Sequence, residues 1–175
     1  MRPTIQTLYD PNLPTILFSL HPLPTEQIRL GEKVLEYRKH FLKHAFQGFV
    51  HMTGTHGGVT LFVRCAQPLS ATPAKLAELG QQLQHDDPQA IEDYLGMAGV
   101  AIPISAVATL PTLPAQTLRT IDSTFVPPRT FVYLDKPQKQ DLLAFLLSQP
   151  YTNYLENDWC ARIKTVRAIL GDCLD

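Results

Sequence analysis

Two histidines, three threonines and three glycines crowd one stretch of this chain, "FVHMTGTHGGVTLFVRC", Phe49 to Cys65. Residues of these types serve as metal ligands, general bases, nucleophiles or phosphate cradles, so spacing has to decide among them. A phosphate loop places its glycines immediately before a helix, whose N-terminus faces the anion. Here the glycines precede "VTLFVRC", rich in β-branched and aromatic residues, and no Gly-Lys-Ser/Thr occurs. As metal ligands, His51 and His56 would lie on opposite faces of a strand and roughly 16 Å apart at about 3.3 Å per residue. On a helix, five positions is not a same-face spacing either, and nothing nominates further ligands. No metal or other cofactor is therefore expected. The third option is a hairpin, with "FVHMT" and "VTLFVR" as strands joined by "GTHGG". Pairing Thr53 with Val59 sets His51 opposite Leu61 and Phe49 opposite Val63. His51 is then a buried histidine with one hydrogen bond, and His56 an exposed turn residue.

Cys65 ends the second strand after Arg64 and could approach His51 on its neighbour, the minimal arrangement for a cysteine nucleophile. Against that, free cysteines commonly pack as small buried hydrophobes. Cys160 and Cys173 lie at the C-terminal end and form no Cys-x-x-Cys with each other or with Cys65. Arg38 is the other candidate. It projects into an otherwise apolar helical arc, where a guanidinium requires a carboxylate, carbonyls, a bound anion or a route to solvent.

That arc belongs to the longest helix expected, from Thr25 to Phe46 with Thr25 as N-cap. Its other face, Arg29 to His44, mixes Arg29, Lys33, Lys39, Lys43, His40 and His44 with glutamates. It reads as a solvated ion-paired surface, with nucleic-acid binding as the weaker alternative. Further helices are expected after Thr72-Pro73, after Asp87-Pro88 and between Asp135 and Pro150. A last one runs from Leu155 to Leu170, with Asn153 as N-cap and Gly171 as stop. "TILFSL", Thr15 to Leu20, reads as a strand. Residues 1–14 read as an extended arm, and 103–128, with Pro103, Pro111, Pro114, Pro127 and Pro128, as a proline-rich extended segment.

The 175 residues suit one α+β domain, with helices packed on a small, mostly antiparallel sheet of about four or five strands. Charged residues make up 18% of the chain, 15 Lys/Arg against 16 Asp/Glu, so no overall field draws it to nucleic acid or an anionic membrane. The odd, scattered cysteines fit a reducing cytoplasm. The first residues do not read as a secretory signal, and no apolar run reaches the ~20 residues of a membrane span. Two functional classes follow. The favoured expectation is a non-enzymatic interaction protein, an adaptor, assembly factor or small subunit that docks a protein partner on proline-blocked edge strands. The alternative is a small hydrolase or transferase built around His51, His56 and Cys65, with Arg38 as anion clamp.

Overall fold

Short, nearly continuous apolar runs make the main strands of the chain, and prolines and polar caps start helices between them. The computed structural model describes residues 1–172. They form six α-helices and one curled eight-stranded sheet, a half-barrel in an α+β domain. The strands are β1 (Thr15–Leu20), β2 (Leu35–Arg38), β3 (Phe46–Met52), β4 (Gly58–Cys65), β5 (Leu69–Ala71), β6 (Gly99–Leu113), β7 (Phe131–Tyr133) and β8 (Tyr154–Glu156). The helices are α1 (Pro22–Arg29), α2 (Pro73–Gln84), α3 (Pro88–Leu95), α4 (Ala115–Arg119), α5 (Gln140–Leu147) and α6 (Trp159–Leu170). The main path of the sheet runs β2-β6-β4-β3-β1-β7, with β5 and β8 also paired to β6. Only β1 and β3 run parallel among these pairs.

The long strand β6 organises the fold. Its first part pairs with β2 and β5, and its second with β4 and β8. Pro103 sits where the partner changes, beside a register shift in the β4 ladder. Pro111 lies within the irregular stretch between Thr109 and Leu113. A residue without an N–H is tolerated at such breaks. The premise that proline keeps this segment from central pairing is thereby corrected. The expectation is met instead at Pro127 and Pro128, which precede the short edge strand β7.

The largest departure from expectation concerns 25–46, which is not one helix. α1 stops at Arg29, Gly31 follows at φ +75°, and the chain re-forms as β2. A left-handed residue ends a helix, and Gly adopts that geometry without strain. Here it has a second reason to be glycine, because a Cβ on Gly31 would stand 2.6 Å from Leu155 Cδ2. Within β2, Leu35 and Tyr37 point into the core while Glu36 and Arg38 face the other way. The ion-paired helical face from Arg29 to His44 therefore does not exist.

Elsewhere the caps act as read: Thr72 and Asp87 accept from Lys75 N and Gln89 N at the starts of α2 and α3. The last helix begins later than expected. Asp158 caps it, accepting from Ala161 N at 3.0 Å, while Leu155 belongs to β8. Two layers of core flank the curled sheet, one around Phe49, Phe62 and Leu146, the other around Phe18, Phe46 and Leu61. A third cluster joins Leu76, Leu79 and Val166 of α2 and α6 to Leu35 and Tyr37 of β2. The N-terminal residues are tied in by Ile5, fully buried, and by the Gln47 side chain, which accepts from Asp10 N at 3.0 Å.

Candidate functional site

The hairpin forms with a bulge. His51 pairs with Val59, Val50 with Leu61 and Phe49 with Phe62, because the register shifts between Val50 and His51. His51 is buried, as its apolar neighbours imply, but its Nδ1 has no hydrogen-bond partner where one was expected. Burial lowers the pKa of His51, and its ring lies 6.3 Å from that of Phe125. His56 is exposed in the connecting turn.

Cys65 pairs with Phe46 at the far end of the ladder, roughly 16 Å along the strand from His51 at about 3.3 Å per residue. It is buried, and burial pushes its thiol well above the usual range. The three residues therefore do not converge, and a thiolate nucleophile is disfavoured at Cys65. Among the described residues, no group of His, Cys, Asp and Glu side chains could hold a metal.

Arg38 does reach a cavity. The end of β1, the start of α1, β2, the residue after β3, α3 and the loop before β7 enclose an open cleft of about 620 Å³. Three cations line it, Lys33, Arg38 and Arg129, against one carboxylate, Glu36. The Glu36 carboxylate lies between two of them, 3.4 Å from Lys33 Nζ and 3.3 Å from Arg38 Nε. That second approach is an ion pair without hydrogen-bond alignment, so Arg38 Nε is buried and not hydrogen-bonded. Arg38 Nη2 donates to Ser19 O at 2.8 Å, and the guanidinium lies 5.9 Å from the Phe18 ring centre and 5.7 Å from that of Phe41. Aromatic faces and a fixed carbonyl thus orient a planar cation at the cleft wall.

The wall behind β2 is a closed polar network. Tyr37 Oη donates to Asp86 Oδ2 at 2.6 Å, and Gln84 Nε2 donates to the same oxygen at 2.7 Å. Gln84 Oε1 accepts from Val34 N and Leu35 N at 2.7 and 2.8 Å, which pins the start of β2 to the end of α2. Burial, reinforced by Asp86, holds the Tyr37 phenol neutral far above its ordinary range. Lys33 Nζ sits 4.9 Å from the Tyr37 ring centre. Gly80 of α2 makes the approach possible, since a Cβ there would lie 1.8 Å from Tyr37 Oη.

The opposite wall brings His21 and Thr53 together, with His21 Nδ1 3.2 Å from Thr53 Oγ1. An imidazole nitrogen beside a hydroxyl can exchange a proton with it or present both to a ligand. The third wall is the Pro127–Arg129 loop, held by Ser19 Oγ donating to Pro128 O at 2.7 Å. Across the base of this segment, Lys139 Nζ, after β7, donates to Asp122 Oδ2, before the loop, at 2.6 Å. That bond, with one from Thr124, brings the Asp122 carboxyl down to about 2. Of the catalytic and clamp candidates only Arg38 lines this cleft; Lys33 and Glu36 were expected on a charged helix face, and Arg129 was given no role. The available signal was the alternation Leu35-Glu36-Tyr37-Arg38 after Gly31, which the helical arc masked.

No protein-family model and no curated protein matches the sequence. The fold is similar to the crystal structure of ASCH from Zymomonas mobilis, with TM-score 0.65 and 19% identity over 74% of this chain and 94% of that one. A tyrosine-to-phenylalanine variant of the same Zymomonas mobilis protein aligns with TM-score 0.65 and 19% identity, over 74% of this chain and 96% of that one. A serine-to-alanine variant gives 0.66 and 20%, covering 78% and 99%. At this identity the likeness is one of fold.

The expectation of a non-enzymatic adaptor or assembly factor is corrected accordingly. The chain has an ASCH-like fold; of the two strands expected to offer free edges, β6 is paired on both sides, while β7, three residues long, lies at an edge. No protein partner is supported. Among the described residues, no helix is long and apolar enough to cross a membrane.

Proposed function

We propose that the cleft around Arg38 binds single-stranded nucleic acid, one nucleotide unit seated between β2 and the His21–Thr53 wall. This revises the expectation that nucleic acid is an unlikely partner. The carrying observation is charge segregation. The whole chain is nearly balanced, with 15 Lys/Arg and 16 Asp/Glu, whereas the cleft presents Lys33, Arg38 and Arg129 against Glu36 alone. A concave surface with excess positive charge concentrates polyanions, and hydroxyl, imidazole and carboxylate groups beside it can address base edges and sugar. Arg38 is the phosphate or carbonyl clamp, held flat by Phe18, Phe41 and Ser19 O. The free thiols of Cys65 and Cys160 support a cytoplasmic setting.

Fluorescence titration with a labelled single-stranded oligonucleotide at several salt concentrations tests this. Affinity should fall steeply with salt. Arg129→Ala, an exposed position, should weaken binding and reduce the log–log slope by about 0.7 for each phosphate that the arginine neutralised. Salt-insensitive binding, or an Arg129→Ala variant with unchanged affinity and slope, would rule the reading out.

The hydrogen bond between His21 and Thr53 favours a second reading, in which the cleft also hydrolyses its ligand with His21 as general base. Incubation with an end-labelled oligonucleotide should then give products, and His21→Ala should abolish them while binding persists. An oligonucleotide left intact by the native protein refutes it.

A further inference from the structure

Tyr94 is the one large aromatic residue at the rim of the cleft that is both exposed and tethered. It lies on α3 and keeps 47% of its surface exposed, yet its hydroxyl donates to Tyr37 O at 3.4 Å. Leu95, the next residue, is buried and anchors that end of the helix in the core. Lys39, exposed just beyond β2, places its ammonium 5.8 Å from the Tyr94 ring centre. Partial exposure of a tyrosine is ordinary, so the significance of this ring lies in where it is fixed. It is held in place beside a cationic cleft, with a further cation next to it.

Building on the nucleic-acid reading of the cleft, we infer that Tyr94 and Lys39 form a second subsite, in which the base adjoining the seated nucleotide stacks on the Tyr94 ring. Lys39 pairs with the phosphate that joins the two. Stacking on an aromatic ring tolerates any base, because every base has a π-face, while the adjacent cation tracks the backbone. The ligand is therefore a strand rather than a mononucleotide. The path runs from Lys33 and Arg38 inside the cleft, out over β2, to Lys39 and Tyr94 at its edge.

The test compares dissociation constants for a nucleoside monophosphate and for a single-stranded hexanucleotide, at one low salt concentration, in the native protein and four variants, Arg129→Ala among them. Tyr94→Ala should weaken the hexanucleotide by about tenfold or more, the usual effect of removing one stacking ring, and leave the mononucleotide unchanged. Tyr94→Phe keeps the ring and loses only the tether, so it should retain most of the affinity. Lys39→Ala should weaken the hexanucleotide and, in a salt titration, flatten its salt dependence. If Tyr94→Ala changes hexanucleotide binding less than twofold while Arg129→Ala still weakens it, the stacking subsite is wrong and the cleft reading survives. If Tyr94→Ala weakens both ligands equally, Tyr94 supports the fold of the cleft and is no separate subsite. If the native protein binds neither ligand, both inferences fall.

Discussion

Replacing Gly80 by alanine should destabilise this protein, although the same change in an exposed helix stabilises by about 1 kcal/mol. Gly80 lies inside α2, where alanine is the better helix former, so propensity alone predicts a gain. The structure predicts the reverse. A Cβ at position 80 would stand 1.8 Å from Tyr37 Oη, 3.0 Å from Tyr37 Cζ and 2.7 Å from Asp86 Oδ2. None of these groups can step aside cheaply: Tyr37 is 5% exposed, and its hydroxyl donates to Asp86 at 2.6 Å.

Overpacking of this kind costs roughly 1–3 kcal/mol, and breaking a hydrogen bond to a charged acceptor roughly 1.5–3 kcal/mol. Set against the propensity gain of about 1 kcal/mol, the net loss is about 1.5–5 kcal/mol, or on the order of 10 °C in melting temperature for a chain of this size. Urea unfolding of the native protein, Gly80→Ala, Tyr37→Phe and the double variant measures it. Tyr37→Phe removes the clashing oxygen, so the cost of Gly80→Ala should shrink by at least ~1 kcal/mol in that background. A Gly80→Ala protein that is more stable than the native one, or an equal cost in both backgrounds, refutes the reasoning. Because Tyr37 also carries Lys33 against its ring and precedes Arg38 on β2, Gly80→Ala should weaken oligonucleotide binding as well.

His51 makes a pH prediction. Burial lowers its pKa below 6.5, so the unfolded chain binds the proton more readily than the folded one. Its contribution to stability is complete above about pH 6.5 and declines as the pH drops toward the lower folded value. His51→Leu removes the proton and the partnerless Nδ1 together. The variant should match or exceed native stability at pH 7.5, by up to ~1 kcal/mol, and lose less on acidification to pH 5.5. Parallel declines of the urea midpoint in the two proteins would show that His51 does not titrate in this way.

How much was legible without the structure varies by segment. β1 was readable from Thr15 to Leu20 because a compact run of β-formers follows a proline. The starts of α2 and α3 were readable because Thr72-Pro73 and Asp87-Pro88 satisfy the first N–H groups locally, whatever surrounds them. The hairpin from Phe46 to Cys65 was readable as a hairpin, but its register was not. The bulge between Val50 and His51 lies in a strand that also pairs with parallel β1 on its other edge, a partner outside the local pattern of the hairpin. The start of the last helix was misplaced because Asn153 and Asp158 are both competent caps. Pairing of Tyr154–Glu156 with β6 decides between them.

The cleft itself belongs to what only tertiary structure decides. Local physics determines the caps, the short strand runs, the hairpin turn and the mixed α and β character, since each depends on residues a few positions apart. Residues 25–46 lie outside its reach. Their apolar positions fit a helical arc as well as they fit a helix, a left-handed Gly31 and a strand of four residues. The choice comes from partners distant in sequence. Val100–Pro103 of β6 pair with β2, and Gln84 takes the N–H groups of Val34 and Leu35. Once those bonds turn 35–38 into a strand, alternation sends Leu35 and Tyr37 into the core and Glu36 and Arg38 into the cleft. Glu36 and Arg38, which a helix would have set about 200° apart around its circumference, thereby share one charged wall.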